Sequence, residues 1–212
     1  MVNPLVLIQR KCRADEMTYS YRSFRELADR EVQGRDYQIR MNLRDGRVLV
    51  IAPHGGKIEP GTTEIAEAVA GTDHSFYSFE GLKANGNGVL HIESHLFDEP
   101  CALQAVEKAD IVITIHGQID QKDAFVMIGG LNDGLGSEIK RQLEANGFQT
   151  RPPAKGLEGL DPMNICNRGR SRCGVQLEIS RKIRDSLRTS RNQLQSIADA
   201  VRRAIRLCLA SD

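Results

Sequence analysis

Short, continuous apolar runs constrain the fold of this chain more than any other feature of its sequence. GRVLVIAP spans residues 46–53, IVITIHG spans 111–117, and AFVMIGG spans 124–130. A strand that is covered on both faces has no solvent side, so it loses the apolar–polar alternation of a half-exposed strand. Such runs are typical of the inner strands of a sheet with helices on both sides. We therefore predict an α/β fold.

Segments with helical periodicity separate these strands. We predict helices over residues 20–31, 62–71, 101–110, 135–147 and 190–209, with Thr62 as the N-cap of the second. Further strands are predicted over 37–41, the first part of 89–100 and 174–184, with a strand or turn over 74–81 and a loop over 151–164. In the last helix an apolar stripe is formed by Leu194, Ile197, Val201, Ile205 and Cys208. This alternation predicts a single domain over 1–212, with a mixed, mostly parallel central sheet flanked by helices.

The overall composition argues against several classes of protein. Lys and Arg number 29 against 28 Asp and Glu, a formal net charge of +1, so no general attraction to nucleic acid or to an anionic membrane is expected. The sequence has no run of about 18 apolar residues, so we predict no membrane span. Residues 1–16 lack the long apolar core of a signal peptide. With five scattered cysteines and no CxxC pair, these features predict a cytoplasmic protein with reduced thiols.

Two histidines occupy the place where an α/β sheet binds its ligands. His54 and His116 each follow an apolar run, and such sheets bind ligands beyond the carboxyl ends of their strands. Glu59 comes five residues after His54, across a Gly-Gly turn that can fold back. Two imidazoles and one carboxylate are the ligand set of a catalytic zinc site, so we predict Zn²⁺ bound by these three side chains. In one alternative, His54 and His116 have only structural roles. In another, Glu64 is the carboxylate ligand, although its position in a predicted helix favours exposure to solvent.

A carboxylate inside an apolar strand is the candidate general base. Glu178 lies in VQLEIS, and a buried carboxylate is costly unless it has a partner or a role. A metal hydrolase needs a group that takes the proton of the attacking water, which is the role we predict for Glu178. In the alternative interpretation the strand alternates, so that Leu177 and Ile179 face inward and Glu178 faces solvent.

Longer motifs give the chain a resemblance to a known family. APHGGKIEPGTTEIAEAVAG, YSFEGLK, LHIESHLFDEP, ITIHG and NICNRGRSRCGVQLEIS resemble, in this order, the successive motifs of phage-type poly-γ-glutamate hydrolases. This resemblance extends over nearly the whole chain and implies a fold and site similar to those of zinc carboxypeptidases. It implies His54, Glu59 and His116 as zinc ligands, and Glu178 as the general base. The spacing from His54 to Glu59 is longer than the HxxE of carboxypeptidases and belongs to the phage-type pattern.

Arginines and two further histidines are the predicted substrate-binding residues. Poly-γ-glutamate carries a carboxylate on every residue, and arginine binds carboxylates through a two-pronged fork. Arg168, Arg170 and Arg181 flank the candidate base in the sequence. His91 and His95 are four residues apart and share one face if their segment is a strand. They are two further candidate metal or acid–base histidines, and we predict that they support the site or line its pocket. The alternative for the arginines is that they lie in solvated loops. The alternative for the histidines is that they only pack against neighbouring residues.

The leading interpretation is a zinc-dependent amidohydrolase that cleaves the γ-glutamyl amide bonds of poly-γ-glutamate. A related amidohydrolase that acts on a small N-acyl amino acid, such as N-formylglutamate, would use the same metal and base. The third interpretation is a non-catalytic, phage-derived protein that binds nucleic acid through Arg202, Arg203 and Arg206; the balanced net charge disfavours it. Zinc content separates the third interpretation from the first two. A cytoplasmic protein would reach its substrate as imported fragments, or outside the cell after phage lysis.

Overall fold

The computed structural model describes residues 21–210. Both ends of the predicted domain, the start of the predicted first helix and the segment 1–16 lie outside this range. The helices are α1 (Phe24–Ala28), α2 (Thr62–Ala70), α3 (Pro100–Lys108), α4 (Asp133–Ala145), α5 (Arg181–Thr189) and α6 (Arg191–Leu209). The strands are β1 (Tyr37–Asn42), β2 (Val48–Gly56), β3 (Ser75–Gly81), β4 (Ile111–Gln118), β5 (Val126–Gly129), β6 (Thr150–Arg151) and β7 (Val175–Ser180).

The strands form one seven-stranded sheet in the order β1-β3-β2-β4-β7-β5-β6. The central strands β3, β2, β4 and β7 are parallel to one another, whereas β1 runs antiparallel to β3 and β5 runs antiparallel to β7. The predicted α/β fold with a mixed, mostly parallel sheet flanked by helices is therefore confirmed. Because β2, β4 and β7 are parallel, their carboxyl ends lie at one edge of the sheet.

Helices cover both faces of the sheet, and each face has its own apolar core. The first, called here the α2/α6 core, packs alternate residues of β2 such as Val48 and Val50 against α2, α4, α5 and α6. The second, called the α3 core, packs Leu49 and Ile51 of the same strand against α1 and α3. All of β2 except its last residue is buried, which explains why its sequence is a continuous apolar run.

Two predicted boundaries are corrected by the caps of the helices. Thr62 is the first residue of α2 rather than its N-cap; Gly61 holds the cap position with a left-handed φ of +100°. The predicted strand 174–184 ends at Ser180, whose hydroxyl accepts a hydrogen bond from the backbone N–H of Ile183 and so caps α5. Serine is a strong N-cap residue, and here it turns the chain from strand into helix.

The predicted strand at the start of 89–100 is wrong. A 3-10 helix spans Asn87–Leu90, and the residues that follow form no regular element before α3 begins at Pro100. His91 and His95 therefore do not alternate on a strand. His91 is buried, whereas the side chain of His95 is 42% exposed.

The predicted apolar stripe of the last helix is confirmed. Ile197, Val201 and Ile205 are buried in the α2/α6 core, and Leu194 and Cys208 pack against that core. This burial on one side is typical of an amphipathic helix docked on a sheet. Across residues 21–210, no helix combines the length and apolar character needed to cross a membrane.

Candidate active site

A pocket of about 660 Å³ opens at the carboxyl edge of the sheet, where β2, β4 and β7 end. Each of these strands contributes one predicted site residue to its wall: His54 from β2, His116 from β4 and Glu178 from β7. The rest of the wall includes the loop Gly156–Asp161. This loop lies inside the predicted loop 151–164, whose contribution to the pocket the sequence did not indicate.

A tight turn after β2 places Glu59 beside His54. The backbone N–H of Glu59 donates to the carbonyl of His54 at 2.9 Å, and its carboxylate accepts the N–H of Gly117 at 2.7 Å. The strand ends in two glycines, and a Cβ added at Gly55 would lie 2.2 Å from the hydroxyl of Ser78 on β3. Glycine is required there because the backbone passes too close to β3 for a side chain. The predicted turn at the two glycines is therefore present, and it brings Glu59 back to His54.

The hydrogen bonds of His54 test whether a metal fits this site. Its Nε2 lies 2.8 Å from the carbonyl oxygen of Ile92, and a carbonyl only accepts, so Nε2 carries a proton. Its Nδ1 lies 3.1 Å from Oε1 of Glu59 and 3.2 Å from Nδ1 of His116. A proton or a cation must stand between Nδ1 and the carboxylate, because two bare acceptors repel each other. A divalent cation held between His54, Glu59 and His116 would satisfy the three groups together, and imidazole and carboxylate are ligand types that zinc accepts.

Two more contacts define the cluster. Nδ1 of His116 lies 4.0 Å from Oε2 of Glu59. His91 stacks on His54 with ring centroids 3.6 Å apart, and its Nε2 lies 3.5 Å from Oε1 of Glu59. Donor atoms of His54, Glu59 and His91 all lie within 4.8 Å of one another and could hold a metal ion. His54 and Glu59 are thus common to two possible ligand sets, completed by His116 as predicted or by His91.

The electrostatics of the cluster suit a cation. Burial would raise the pKa of Glu59, but the charge of His54 and hydrogen bonds to His54 and His91 outweigh it and hold this pKa well below its usual range. Burial, followed by the nearby His54, lowers the pKa of His116 to about 3. Burial and the charge of His54 also lower the pKa of His91. An ionised carboxylate beside the neutral rings of His91 and His116 favours the binding of a metal.

Glu178 lies beside the cluster on the neighbouring strand. In the register of β4 and β7 it is the direct partner of His116. Only 6% of Glu178 is exposed, and it lines the pocket, so the interpretation in which it faces bulk solvent is wrong. Its Oε1 accepts a hydrogen bond from Gln176 at 3.2 Å, and Gln176 in turn accepts one from Asn164 at 2.8 Å. This chain of amides orients the carboxyl group.

The pKa of Glu178 departs from its ordinary value in the direction that suits a base. Burial, and then the negative charge of Glu59, raise this pKa well above the usual range, while Arg184 opposes the shift. A carboxylate with a raised pKa holds a proton more strongly than an exposed glutamate does. It is therefore a stronger proton acceptor toward water, which is the property that a general base needs.

The structure does not bring the predicted arginines to the pocket. Arg168 donates to a backbone carbonyl in the segment before α3, Arg170 lies 3.6 Å from Asp110, and Arg181 pairs with Asp185 at 2.7 Å. No Arg or Lys side chain of residues 21–210 is part of the pocket wall. The sequence placed these arginines near Glu178 along the chain, but nearness along the chain did not become nearness in space.

The predicted pocket histidines are both in the wall, at different depths. His91 is buried against His54, whereas His95 lies at the rim with its Nδ1 3.4 Å from a carboxylate oxygen of Glu93. Ser94 lies between them in the sequence, and its hydroxyl oxygen is 3.4 Å from Nε2 of His116. Nothing in the amino-acid pattern indicates the contact between His91 and Glu59, because the irregular segment that holds His91 has no periodicity.

Comparison with known proteins agrees with this geometry. The model of the family described as Poly-gamma-glutamate hydrolase matches residues 21–201. UPF0714 protein YmaC of Bacillus subtilis (strain 168) is 37% identical over 170 residues, which cover 79% of this chain and 71% of YmaC. UPF0714 protein YndL of the same organism is 37% identical over 173 residues, which cover 79% of this chain and 66% of YndL. The chain therefore spans slightly less than two thirds of YndL.

Solved structures show the same fold. A bacteriophage poly-gamma-glutamate hydrolase superposes with a TM-score of 0.88 at 30% identity, covering 92% of this chain and 100% of that one. A zinc-free apo form of YndL superposes with a TM-score of 0.82 at 32% identity, covering 88% of this chain and 97% of that one. The fold, the match over residues 21–201 and the identity to YmaC agree with one another. The chain therefore belongs to the poly-gamma-glutamate hydrolase family, whose hydrolases act on γ-glutamyl amide bonds.

Proposed function

We propose that this chain is a zinc-dependent hydrolase of poly-γ-glutamate in which His54, Glu59 and His116 bind the metal and Glu178 is the general base. The observation that carries this proposal is the meeting of Nδ1 of His54, Nδ1 of His116 and the carboxylate of Glu59 within 4.0 Å. The metal is proposed to be zinc because imidazole and carboxylate are its usual ligands in hydrolases. The zinc-free form of the relative YndL supports the same choice of metal.

His116 is preferred to His91 as the third ligand for a geometric reason. Its strand partner is Glu178, so a ligand at His116 would bring the metal next to the proposed base. His91 stacks flat on His54, and this stacking holds the ring of His54 in its plane. We therefore assign His91 to the support of His54 and Glu59.

The residues of the pocket have distinct roles in the proposed reaction. Bound zinc would polarise the amide carbonyl and lower the pKa of a water molecule. Glu178 accepts the proton of the attacking water and then donates it to the nitrogen of the leaving amine, as its raised pKa allows. Gln176 holds the carboxyl of Glu178 in place through its hydrogen bond at 3.2 Å.

Substrate carboxylates would meet neutral donors rather than arginines inside the pocket. Gln118 and Asn164 line the wall, and each side-chain amide carries N–H groups that can donate to a carboxylate. His95, at the rim, is proposed for the same contact. The predicted contacts of Arg168, Arg170 and Arg181 with substrate carboxylates stay predictions, and any such contact would lie outside the pocket wall. A cytoplasmic location and release by phage lysis also stay predictions.

Zinc content and polymer cleavage, measured in the same samples, test the proposal. The variants are His116→Ala and the control His74→Ala, a buried histidine that immediately precedes β3 and lies far from the pocket. We expect about one zinc per chain and chain cleavage in the wild type and in the control. Both should be lost in His116→Ala.

Two other results would change the assignment. Wild-type protein that binds zinc and cleaves N-formylglutamate, but leaves the polymer intact, would move the substrate to small N-acyl amino acids. Wild-type protein that binds no zinc at a stoichiometric level would refute the metallohydrolase assignment and return His54 and His116 to structural roles.

A further inference from the structure

We propose that Arg184 is a positioning residue that holds together the three chain segments carrying Glu59, His116 and Glu178. This inference rests on the proposed function, because it concerns the residues of that site. Arg184 lies in α5 and is 2% exposed. It does not line the pocket, so its role is to place other residues and not to touch the substrate.

The guanidinium of Arg184 binds one backbone carbonyl in each of the three segments. Nε donates to the carbonyl of Ile179 at 3.0 Å, one residue after the proposed base. Nη2 donates to the carbonyl of Gln118 at 3.0 Å, two residues after His116. Nη1 donates to the carbonyl of Pro60, which immediately follows Glu59. One planar cation thus joins the ends of β4 and β7 to the turn after β2.

Two glycines leave the space that the side chain of Arg184 occupies, because they have no Cβ. A Cβ added at Gly117 would lie 2.5 Å from Cζ of Arg184, and one added at Gly61 would lie 3.0 Å from its Cβ. Gly117 also donates its N–H to the carboxylate of Glu59. The backbone that binds the proposed ligand Glu59 is therefore the same backbone against which Arg184 packs.

The chemistry of the site is sensitive to this clamp for two reasons. Without Arg184, three buried carbonyls would lose a charged donor, and the segments would move to find others. A displacement of about 1 Å at a reacting group can cost about 10²-fold in rate. Support of metal ligands by residues behind them typically changes metal affinity by about 10- to 100-fold.

The test compares Arg184→Gln with the matched control Arg202→Gln. Arg202 also donates to two backbone carbonyls, those of Val69 and Ala70, but at the far end of α2 from the pocket. We measure the Kd for zinc by competition with a chelator, kcat and KM on poly-γ-glutamate, and Tm. Arg184→Lys is made alongside, because its ammonium keeps the charge but reaches fewer carbonyls.

The positioning role predicts a pattern that loss of stability alone does not produce. Arg184→Gln should weaken zinc binding about 10- to 100-fold and lower kcat about 10²-fold, with little change in KM. The zinc affinity and the kcat of Arg184→Lys should lie between those of Arg184→Gln and those of the wild type. Arg202→Gln should lower Tm while zinc affinity and kcat stay at the wild-type level.

The opposite pattern would overturn the inference. If both Arg184 variants bind zinc and turn over like the wild type at a temperature where they are folded, then Arg184 only stabilises the fold. Should Arg184→Gln not fold, Arg184→Lys with wild-type zinc affinity and kcat would overturn the inference in the same way. A wild type without zinc and without cleavage would instead refute the proposed function, which distinguishes the two failures.

Discussion

The two faces of strand β7 differ along their whole length, although the same six residues form both. Val175, Leu177 and Ile179 point into the α2/α6 core and are buried among aliphatic side chains. Gln176 and Glu178 alternate with them and therefore lie on the opposite face, at the pocket. One face holds the strand in place, and the other presents polar groups that the first face keeps in position.

Strand β4 shows the same division. Ile113 and Ile115 belong to the α2/α6 core, whereas Thr114 and His116 lie on the other face, which becomes polar toward the pocket. A buried polar group destabilises a fold unless it is satisfied, so the aliphatic face must compensate. We therefore predict that adjacent residues of one strand contribute separately to stability and to activity.

Glu178→Gln should give the largest effect and tests the polar face. Glutamine keeps the shape of the side chain but cannot take a proton, so the rate of poly-γ-glutamate cleavage should fall about 10²- to 10⁴-fold. The free energy of unfolding should stay the same or increase, because the burial of an ionisable carboxyl is removed. Initial rates and urea denaturation measure the two quantities. A variant that keeps wild-type turnover would exclude Glu178 as the base.

Leu177→Ala should give the reciprocal result on the aliphatic face. The side chain is 1% exposed, and replacing a buried leucine by alanine costs about 2–5 kcal/mol of folding free energy. Zinc content and kcat of the folded protein should not change, because the side chain points away from the pocket. Urea denaturation and turnover at a temperature well below Tm measure this. Loss of kcat in fully folded Leu177→Ala would show that the two faces are not independent.

The division between the faces also shows which parts of the molecule the sequence could predict. Apolar runs identify buried strands, and the carboxyl ends of parallel strands meet at one edge. These two facts place His54 and His116 at the same edge of the sheet. Which of the site residues are neighbours there depends on the pairing of β2 with β4, which brings His54 to His116, and of β4 with β7, which brings Glu178 to His116. The order of strands in space is a tertiary result that the apolar pattern does not contain.

The predicted strand runs four residues past the true end of β7 and hides the burial of Arg184. A strand over 174–184 gives Arg184 no special place among its neighbouring arginines. The helix α5, which begins at Arg181, turns Ile183, Arg184 and Leu187 inward. Arg181 stays on the surface and pairs with Asp185. The helical period, and not the local charge, decides which arginine is buried.

The histidines of the pocket should contribute unequally to zinc binding. His91→Asn should weaken zinc binding about 10- to 100-fold, because it removes support from His54 and Glu59, whereas His116→Asn should lose zinc altogether. His95→Asn is the matched control, since its exposed ring at the rim is expected to leave zinc affinity unchanged. Chelator competition measures all three variants. If His91→Asn loses the metal and His116→Asn retains it, the ligand set is His54, Glu59 and His91.

A histidine at the opposite edge of the sheet should give the smallest effect. His74 lies just before β3, and burial, followed by the charge of Arg202, lowers its pKa below the ordinary 6.5. The folded chain therefore binds this proton more weakly than the unfolded chain. Stability from the neutral ring is complete above pH 6.5 and is lost as the pH falls below that value. The free energy of unfolding should thus decrease on acidification.

The pH dependence of unfolding in variants isolates this contribution. Urea denaturation at about pH 7.5 and about pH 5.5 gives the change in stability for the wild type, for His74→Asn and for the exposed control His95→Asn. His74→Asn should lose less stability between the two pH values than the wild type does, and the control should lose as much as the wild type. An equal loss in all three proteins would mean that His74 does not titrate differently in the fold. In that case the pH response would come from the carboxyl edge, where the histidines meet Glu59.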